Sequence, residues 1–287
     1  MELDNAGLNP VRIASAIHDQ LGDWPGAVPV HQIARRLDIE EIREEPLSSV
    51  EGMLVTAPER PFGIIALNSG SSGRRRRFTI SHELGHFLMT HHRMVDQDRF
   101  TCSRADMLAR IDEGEGRLSD RHRMQEAEAN RFAIELLTPA RRLRQFLNRQ
   151  PDLERVLEIS STFEISREAA ARRYVDLHRD SLAVLFGHRG RIVYLQKGRS
   201  FPWIVRGRES PLPDSLLVGP GDLSRMEQAD PADWLENSSE YELGTQILRQ
   251  REDRCLVLLH AEKVGDEEED DNGGIEDAAE RFNRFNR

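Results

Sequence analysis

Two histidines four residues apart flank a glutamate in the segment Phe78-Thr-Ile-Ser-His82-Glu83-Leu-Gly85-His86-Phe-Leu-Met89. On an α-helix, positions four apart are rotated by about 400°, or about 40° from eclipsed, so both imidazoles aim at one point where a divalent cation can sit. With 10 histidines in 287 residues, chance supplies roughly 0.035 patterns of the form His-Glu-x-x-His. Two incidental histidines on a surface helix are therefore the poorer explanation. Glu83 adds the general base that metal-assisted hydrolysis needs, and Gly85 leaves room for another backbone to approach.

Hydrolytic zinc takes three protein ligands and leaves one place for water, and two residues compete for the third. His92 has the spacing of His-Glu-x-x-His-x-x-Gly-x-x-His, but that arrangement needs a helix-breaking glycine where Met89 stands. In a continuing helix His92 lies about 240° from His86 and points off the metal. The other candidate lies in Gln125-Glu126-Ala-Glu128-Ala129-Asn130-Arg-Phe132-Ala133-Ile-Glu135-Leu-Leu137-Thr-Pro139. Glu126, Asn130, Ala133 and Leu137 share a helix face. There Glu126 would bind zinc while Asn130 accepts the ring N–H of a ligating histidine and fixes its tautomer. Glu128, about 200° around the helix from Glu126, is expected to face solvent. Cys102 lies between the two helices; a free cysteine is most often a small buried hydrophobe, but a thiolate is also a strong zinc ligand. A hinged loop carrying Cys102 would fill the open place and hold an enzyme inactive. His91, His92 and His122 lie near the motifs, and the sequence does not select which of them stabilises an oxyanion.

Positioning these groups requires two packed helices and a support. Helices are expected from Pro10, from Pro29, over 74–91, over 120–137 and over 140–147, with a small sheet from residues 39–43, 52–56 and 62–67. Residues 96–119 read as a long loop with an acidic glycine patch. A helical pair follows at 151–161 and 167–178, where Ala169, Ala170, Ala171 and Val175 indicate packing rather than DNA reading. Strands are expected at 182–186, 192–195, 216–218 and 255–259, and a helix after Pro231. Trp203 and Trp234 read as core or domain-contact residues rather than ligand cages. Arg74 to Arg77 read as ion-pairing groups of the fold rather than a nucleic-acid patch.

Composition bounds the rest. The chain is 38% hydrophobic and 31% charged, enough for one large or two to three ordinary domains. No run approaches the ~20 apolar residues of a bilayer span, and the acidic start lacks the features of a secretory signal, so a cytoplasmic location without membrane contact is expected. The two cysteines, Cys102 and Cys255, exclude a disulfide framework and an all-thiolate metal site. Of the net charge of −10, residues 262–287 hold −6, with ten acidic against four basic side chains; they read as a disordered acidic tail. Of the 40 basic residues, 38 are arginine.

Arg77-Phe-Thr-Ile-Ser-His-Glu-Leu-Gly-His86 followed by Glu126-Ala-Glu-Ala-Asn-Arg-Phe-Ala-Ile-Glu-Leu-Leu-Thr-Pro139 resembles the paired signature of the ImmA/IrrE family of bacterial metallopeptidases. Phe163-Glu-Ile-Ser-Arg-Glu-Ala-Ala-Ala-Arg-Arg173 resembles a helical segment downstream in that family. The resemblance implies an α+β chain: a minimal thermolysin-like (gluzincin) metallopeptidase domain at residues 1–150, a helical helix-turn-helix-like linker at 151–180 and a C-terminal α/β GAF-like sensory domain at 181–261. It also implies Zn2+ held by His82, His86 and Glu126, with Glu83 catalytic. The implied substrate is a helix-turn-helix repressor, cleaved to derepress stress, mobile-element or anti-phage defence genes. The long gap between His86 and Glu126 departs from the pattern. A cysteine switch at Cys102 would bring the resemblance closest to the CapP-type peptidases of anti-phage operons. Single-stranded DNA, held by arginines and by stacking on Trp203, is the expected activator. The alternative is a non-cleaving metal-binding transcriptional regulator or DNA-linked binding module; an intact Glu83 favours the peptidase, since binding alone needs no base beside the metal.

Overall fold

Asn9 starts the first helix, its side chain accepting hydrogen bonds from the backbone N–H groups of Val11 and Arg12 ahead of Pro10, a proline being well placed in a first turn. This helix, α1 (Pro10–Leu21), ends at Gly22, whose φ of 65° suits a residue without a side chain. The computed structural model describes residues 1–93, 99–103, 106, 119–217 and 222–265. They divide into one unit of residues 1–143 and 160–166 and a second that takes in 144–159 and everything described from 167 onward.

In the first unit α1 and α2 (Val30–Arg36) precede a four-stranded sheet of β1 (Ile39–Glu45), β2 (Gly52–Thr56), β3 (Gly63–Asn68) and β4 (Arg99–Cys102), in the order β1-β3-β2-β4. β1 runs parallel to β3; β2 is antiparallel to both β3 and β4. Helices α3 (Gly73–Leu88) and α4 (Ser119–Leu137) complete the elements, with α5 (Ala140–Leu147) belonging to this unit as far as Leu143. Ser72 caps α3 by accepting from the Arg75 N–H. The four arginines that follow find partners within this unit: Arg74 with Ser160, Arg75 with Glu51, Arg76 with Glu44 and Arg77 with Glu164. Together with the Arg142 guanidinium over the Phe163 ring, these contacts tie residues 160–166 to the first unit.

Two expectations need correction here. Arg99–Cys102 is a strand, where the sequence reads as a loop; Leu54 pairs with Phe100 and Gly52 with Cys102. Four residues are too few for the alternation to stand out, yet Phe100 and Cys102 both turn inward, 2% and 0% exposed. The acidic glycine patch lies outside the described residues. Second, α3 stops at Leu88, not near His91, although no glycine follows. Arg60 supplies the stop: its guanidinium donates to the carbonyls of His86 and Phe87, which the helix end leaves without intrahelical partners, and beyond the helix to those of Met89 and His92.

The second unit holds α6 (Leu153–Thr162) as far as Ile159, α7 (Arg167–Leu177) and an antiparallel sheet. Its strands are β5 (Leu182–His188), β6 (Arg191–Lys197), β7 (Glu227–Ala229), β8 (Tyr241–Arg249) and β9 (Arg254–Lys263), in the order β6-β5-β9-β8-β7. Gln246 of β8 accepts from the Leu153 N–H and donates to Asp152, which joins α6 to the sheet. The expected strand at 216–218 is instead part of a single helical turn, α8 (Asp214–Leu217), with Val218 outside the described residues. Only a short 3-10 turn, Pro231–Asp233, follows Pro231. β7 and β8 were not expected, because Gly244, Thr245 and Gln246 interrupt the apolar pattern. Trp234 is 1% exposed in the core, but Trp203 is 67% exposed, with the Lys197 ammonium 4.9 Å from its ring centroid. The run Asp266 to Asp271 and the rest of the acidic tail lie outside the described residues. Among the described residues no helix is long and apolar enough to cross a membrane.

Removing the Arg60 guanidinium takes a donor from four carbonyls in and just beyond the last turn, of which that of Met89 keeps the His92 N–H. Arg60→Ala is expected to lower stability in urea unfolding by about 2 kcal/mol; a loss below about 0.5 kcal/mol would show that water caps the helix as well.

Candidate metal centre

The one-turn spacing within α3 places His82 and His86 side by side, their Nε2 atoms 3.1 Å apart. Glu126 of α4 reaches both, with Oε2 3.1 Å from His82 Nε2 and Oε1 3.3 Å from His86 Nε2. Ligands held at about 2.0–2.1 Å around a tetrahedral zinc ion stand about 3.3 Å from one another, so these three atoms have close to the edge lengths of such a shell. Cys102, from β4, joins them in one buried group whose ligand atoms all lie within 4.8 Å. Two nitrogens, a carboxylate and a thiol form a donor set suited to zinc.

Close backbone approach makes the convergence possible. A Cβ on Gly85 would stand 2.9 Å from Phe132 Cδ1 and 3.3 Å from the Ala129 Cα, so a side chain there would drive α3 and α4 apart. Gly52 plays the same part on the sheet side, where a Cβ would lie 2.3 Å from Thr79 Cγ2 and 2.9 Å from Glu83 Oε1.

Each imidazole is held from behind. His82 Nδ1 lies 2.9 Å from Asn130 Oδ1, and the Asn130 amide donates to the Asp106 carbonyl, which fixes its orientation. His86 Nδ1 lies 2.9 Å from Nδ1 of His92, and Phe100 stacks on the His86 ring. His92 is buried and meets the far side of His86, so it is not one of the four converging residues. Its turn inward follows from the early end of α3. Glu128 departs from the sequence expectation: it is not turned freely to solvent but accepts from Nε2 of His91 at 2.7 Å and of His92 at 2.9 Å. His122, one turn before Glu126, is half exposed, its Nδ1 3.6 Å from Glu126 Oε1 and its Nε2 3.5 Å from Asp106 Oδ1. Its spacing from Glu126 is the signal in the sequence that could have singled it out.

Electrostatics mark the same place. Glu83 is fully buried, and neither of its oxygens accepts a hydrogen bond of good geometry. Burial pushes its pKa up to about 7, with His82 and the nearby Cys102 thiol pulling the other way. Burial lowers His86 to about 4. Burial also opposes the charge on Glu126, but hydrogen bonds from His82 and His86 outweigh it and hold the carboxyl well below its ordinary range. Cys102 is raised by burial and by the carboxylates of Glu83 and Glu126. A buried carboxylate without a partner is costly, and a divalent cation beside it, with a water between, would supply what Glu83 lacks. The residues present fit such an ion.

This site, carried on an α+β unit, defines a metallopeptidase-type domain. Residues 34–174 match the family Peptidase M78, described as the IrrE N-terminal-like domain, and this part of the chain is a domain of the ImmA/IrrE family of peptidases. Among solved structures, a Mycobacterium tuberculosis transcriptional regulator is similar, with 15% identity and a TM-score of 0.57 over 89% of this chain and 76% of that one; at that identity the likeness is one of fold. No curated protein sequence matches.

Asn130→Ala removes the acceptor behind His82. The expected result is a 10–100-fold loss of metal affinity, read by competition with a chromophoric chelator; unchanged affinity would show that the His82 tautomer is fixed by other means.

Proposed function

We propose that this protein is a site-specific zinc endopeptidase that cleaves a helix-turn-helix transcriptional repressor and so derepresses the genes beside it. The observation that carries this reading is Glu83, buried and unpartnered next to the converging atoms of His82, His86 and Glu126. Bound zinc supplies Lewis acidity to a peptide carbonyl and to a water molecule. His82, His86 and Glu126 hold the ion, and Asn130 keeps the His82 ring oriented. Glu83 takes the proton of the attacking water and passes it to the leaving amine. His122, half exposed at the edge of the cluster beside Glu126, is read as the donor to the oxyanion, since His91 and His92 lie on the far side of His86, against Glu128.

The repressor substrate is inferred from the family; the similar Mycobacterium tuberculosis protein bears the name of a transcriptional regulator. The strand-rich second unit is read as a GAF-like sensor, with single-stranded DNA as activator in a stress or anti-phage response. Exposed Trp203 beneath Lys197 offers a stacking surface of the kind that binds bases. Cys102 fits a resting-state inhibitor, a fourth donor already inside the cluster. Since Cys102 is the last residue of β4, paired with Gly52, its release would require β4 to peel from β2.

With the helix-turn-helix product of the adjacent gene as substrate, Glu83→Gln is expected to keep metal content but lose at least ~100-fold in cleavage rate. Cleavage near the parent rate would overturn the mechanism. Glu126→Ala should lose metal on dialysis; a full complement would move the third ligand elsewhere. For the inhibitory thiol, Cys102→Ala is expected to raise basal cleavage at unchanged metal content, and an unaltered basal rate would remove Cys102 from regulation.

A further inference from the structure

We propose that His91, His92 and Glu128 form a second divalent-cation site, reached from solvent, whose occupancy opposes that of the first. The outer site stands on its own geometry, while the opposition rests on the metal reading given above. The Nε2 atoms of His91 and His92 lie 2.7 and 2.9 Å from the same oxygen, Oε2 of Glu128. Ligand atoms of all three residues fall within 4.8 Å of one another. Two imidazoles and one carboxylate are a zinc-binding set. The His91 side chain is 38% exposed and that of Glu128 23%, so an ion can arrive from water, which the four buried residues of the inner cluster do not allow directly.

The backbone that presents the two histidines is held in place. Arg60 grips the carbonyls of Met89 and His92, and the Gln125 amide pairs with both the N–H and the carbonyl of Arg93. Little rearrangement is therefore needed to bind. The outer site has three donors, partly open to water, against four buried ones in the inner cluster, which makes it the weaker one.

The opposition follows from counting hydrogens. A neutral imidazole has one N–H and one lone pair. A cation on His86 Nε2 leaves the hydrogen of His86 on Nδ1, from which it is donated to Nδ1 of His92, 2.9 Å away. His92 must then carry its hydrogen on Nε2 and donate it to Glu128. A cation on His92 Nε2 needs that lone pair instead. The hydrogen of His92 moves to Nδ1 and is donated to His86, whose own hydrogen must sit on Nε2, the atom facing the inner cluster. With both ions bound, two N–H groups would face each other across the 2.9 Å between the Nδ1 atoms, so the rings must draw apart or one must turn out of a buried hydrogen bond. Either course weakens the pair of sites relative to each alone.

The test is calorimetric titration of the full-length, metal-free protein with zinc alone. Two events are expected, a tight one lost in Glu126→Ala and a weaker one reduced at least ~10-fold in His91→Ala, whose exposed side chain touches Glu128 and not His86. In Glu126→Ala, or Glu126→Gln should the alanine variant not fold, the weaker event should tighten. A second event indifferent to His91→Ala, or a single event lost only in Glu126→Ala, overturns the outer site. A weaker event of equal strength with and without the inner site overturns the opposition. A single event lost in His91→Ala but not in Glu126→Ala would support the outer site while overturning the metal reading of the inner one.

Discussion

At the crossing of α3 and α4 there is room for the hydrogen of Gly85 and for no side chain, because Phe132 and the Ala129 backbone stand directly opposite. This constraint sets everything else at the centre. It brings Glu126 to hydrogen-bonding distance of two imidazoles that one helical turn has already aligned, and it does so where no side chain of the group is exposed to water. In such surroundings a polar group without a partner is costly. His82, His86 and Glu126 satisfy one another in part, but Glu83 does not. The packing therefore creates an electrostatic demand that a small cation and its water can meet.

Behind the converging atoms the two histidines are supported differently. His82 leans on an amide that is itself anchored to a backbone carbonyl, a closed arrangement. His86 leans on another imidazole, and that ring leads on to Glu128 and exposed His91. An amide keeps a fixed donor and acceptor, while an imidazole can exchange them. The support of His86 is thus a path by which events at the surface reach the buried site through hydrogen positions alone.

Much of this was legible in the sequence because it is local. The spacing of His82 and His86, the shared face of Glu126 and Asn130, the cap at Asn9 and the glycine at the helix crossing all depend on residues a few positions apart. What escaped depends on partners far along the chain. Arg60 ends α3 from a distance of 26 residues in sequence, which is why Met89 misled and why the inward turn of His92 and its contact with Glu128 could not be foreseen. β4 is a strand only because β2 offers an edge. β8 reads as polar but is buried between β7 and β9, and Trp203, in an apolar-looking sequence, is left outside. In each case tertiary context overrides local pattern.

The most direct measurement of the central claim is an anomalous-scattering crystal structure of the protein loaded with one equivalent of zinc. The account predicts a single strong peak bonded to Nε2 of His82, Nε2 of His86 and the Glu126 carboxylate, with Glu83 close by but not coordinated. A peak absent from that cluster, or a shell that includes Glu83 and leaves out Glu126, would contradict it.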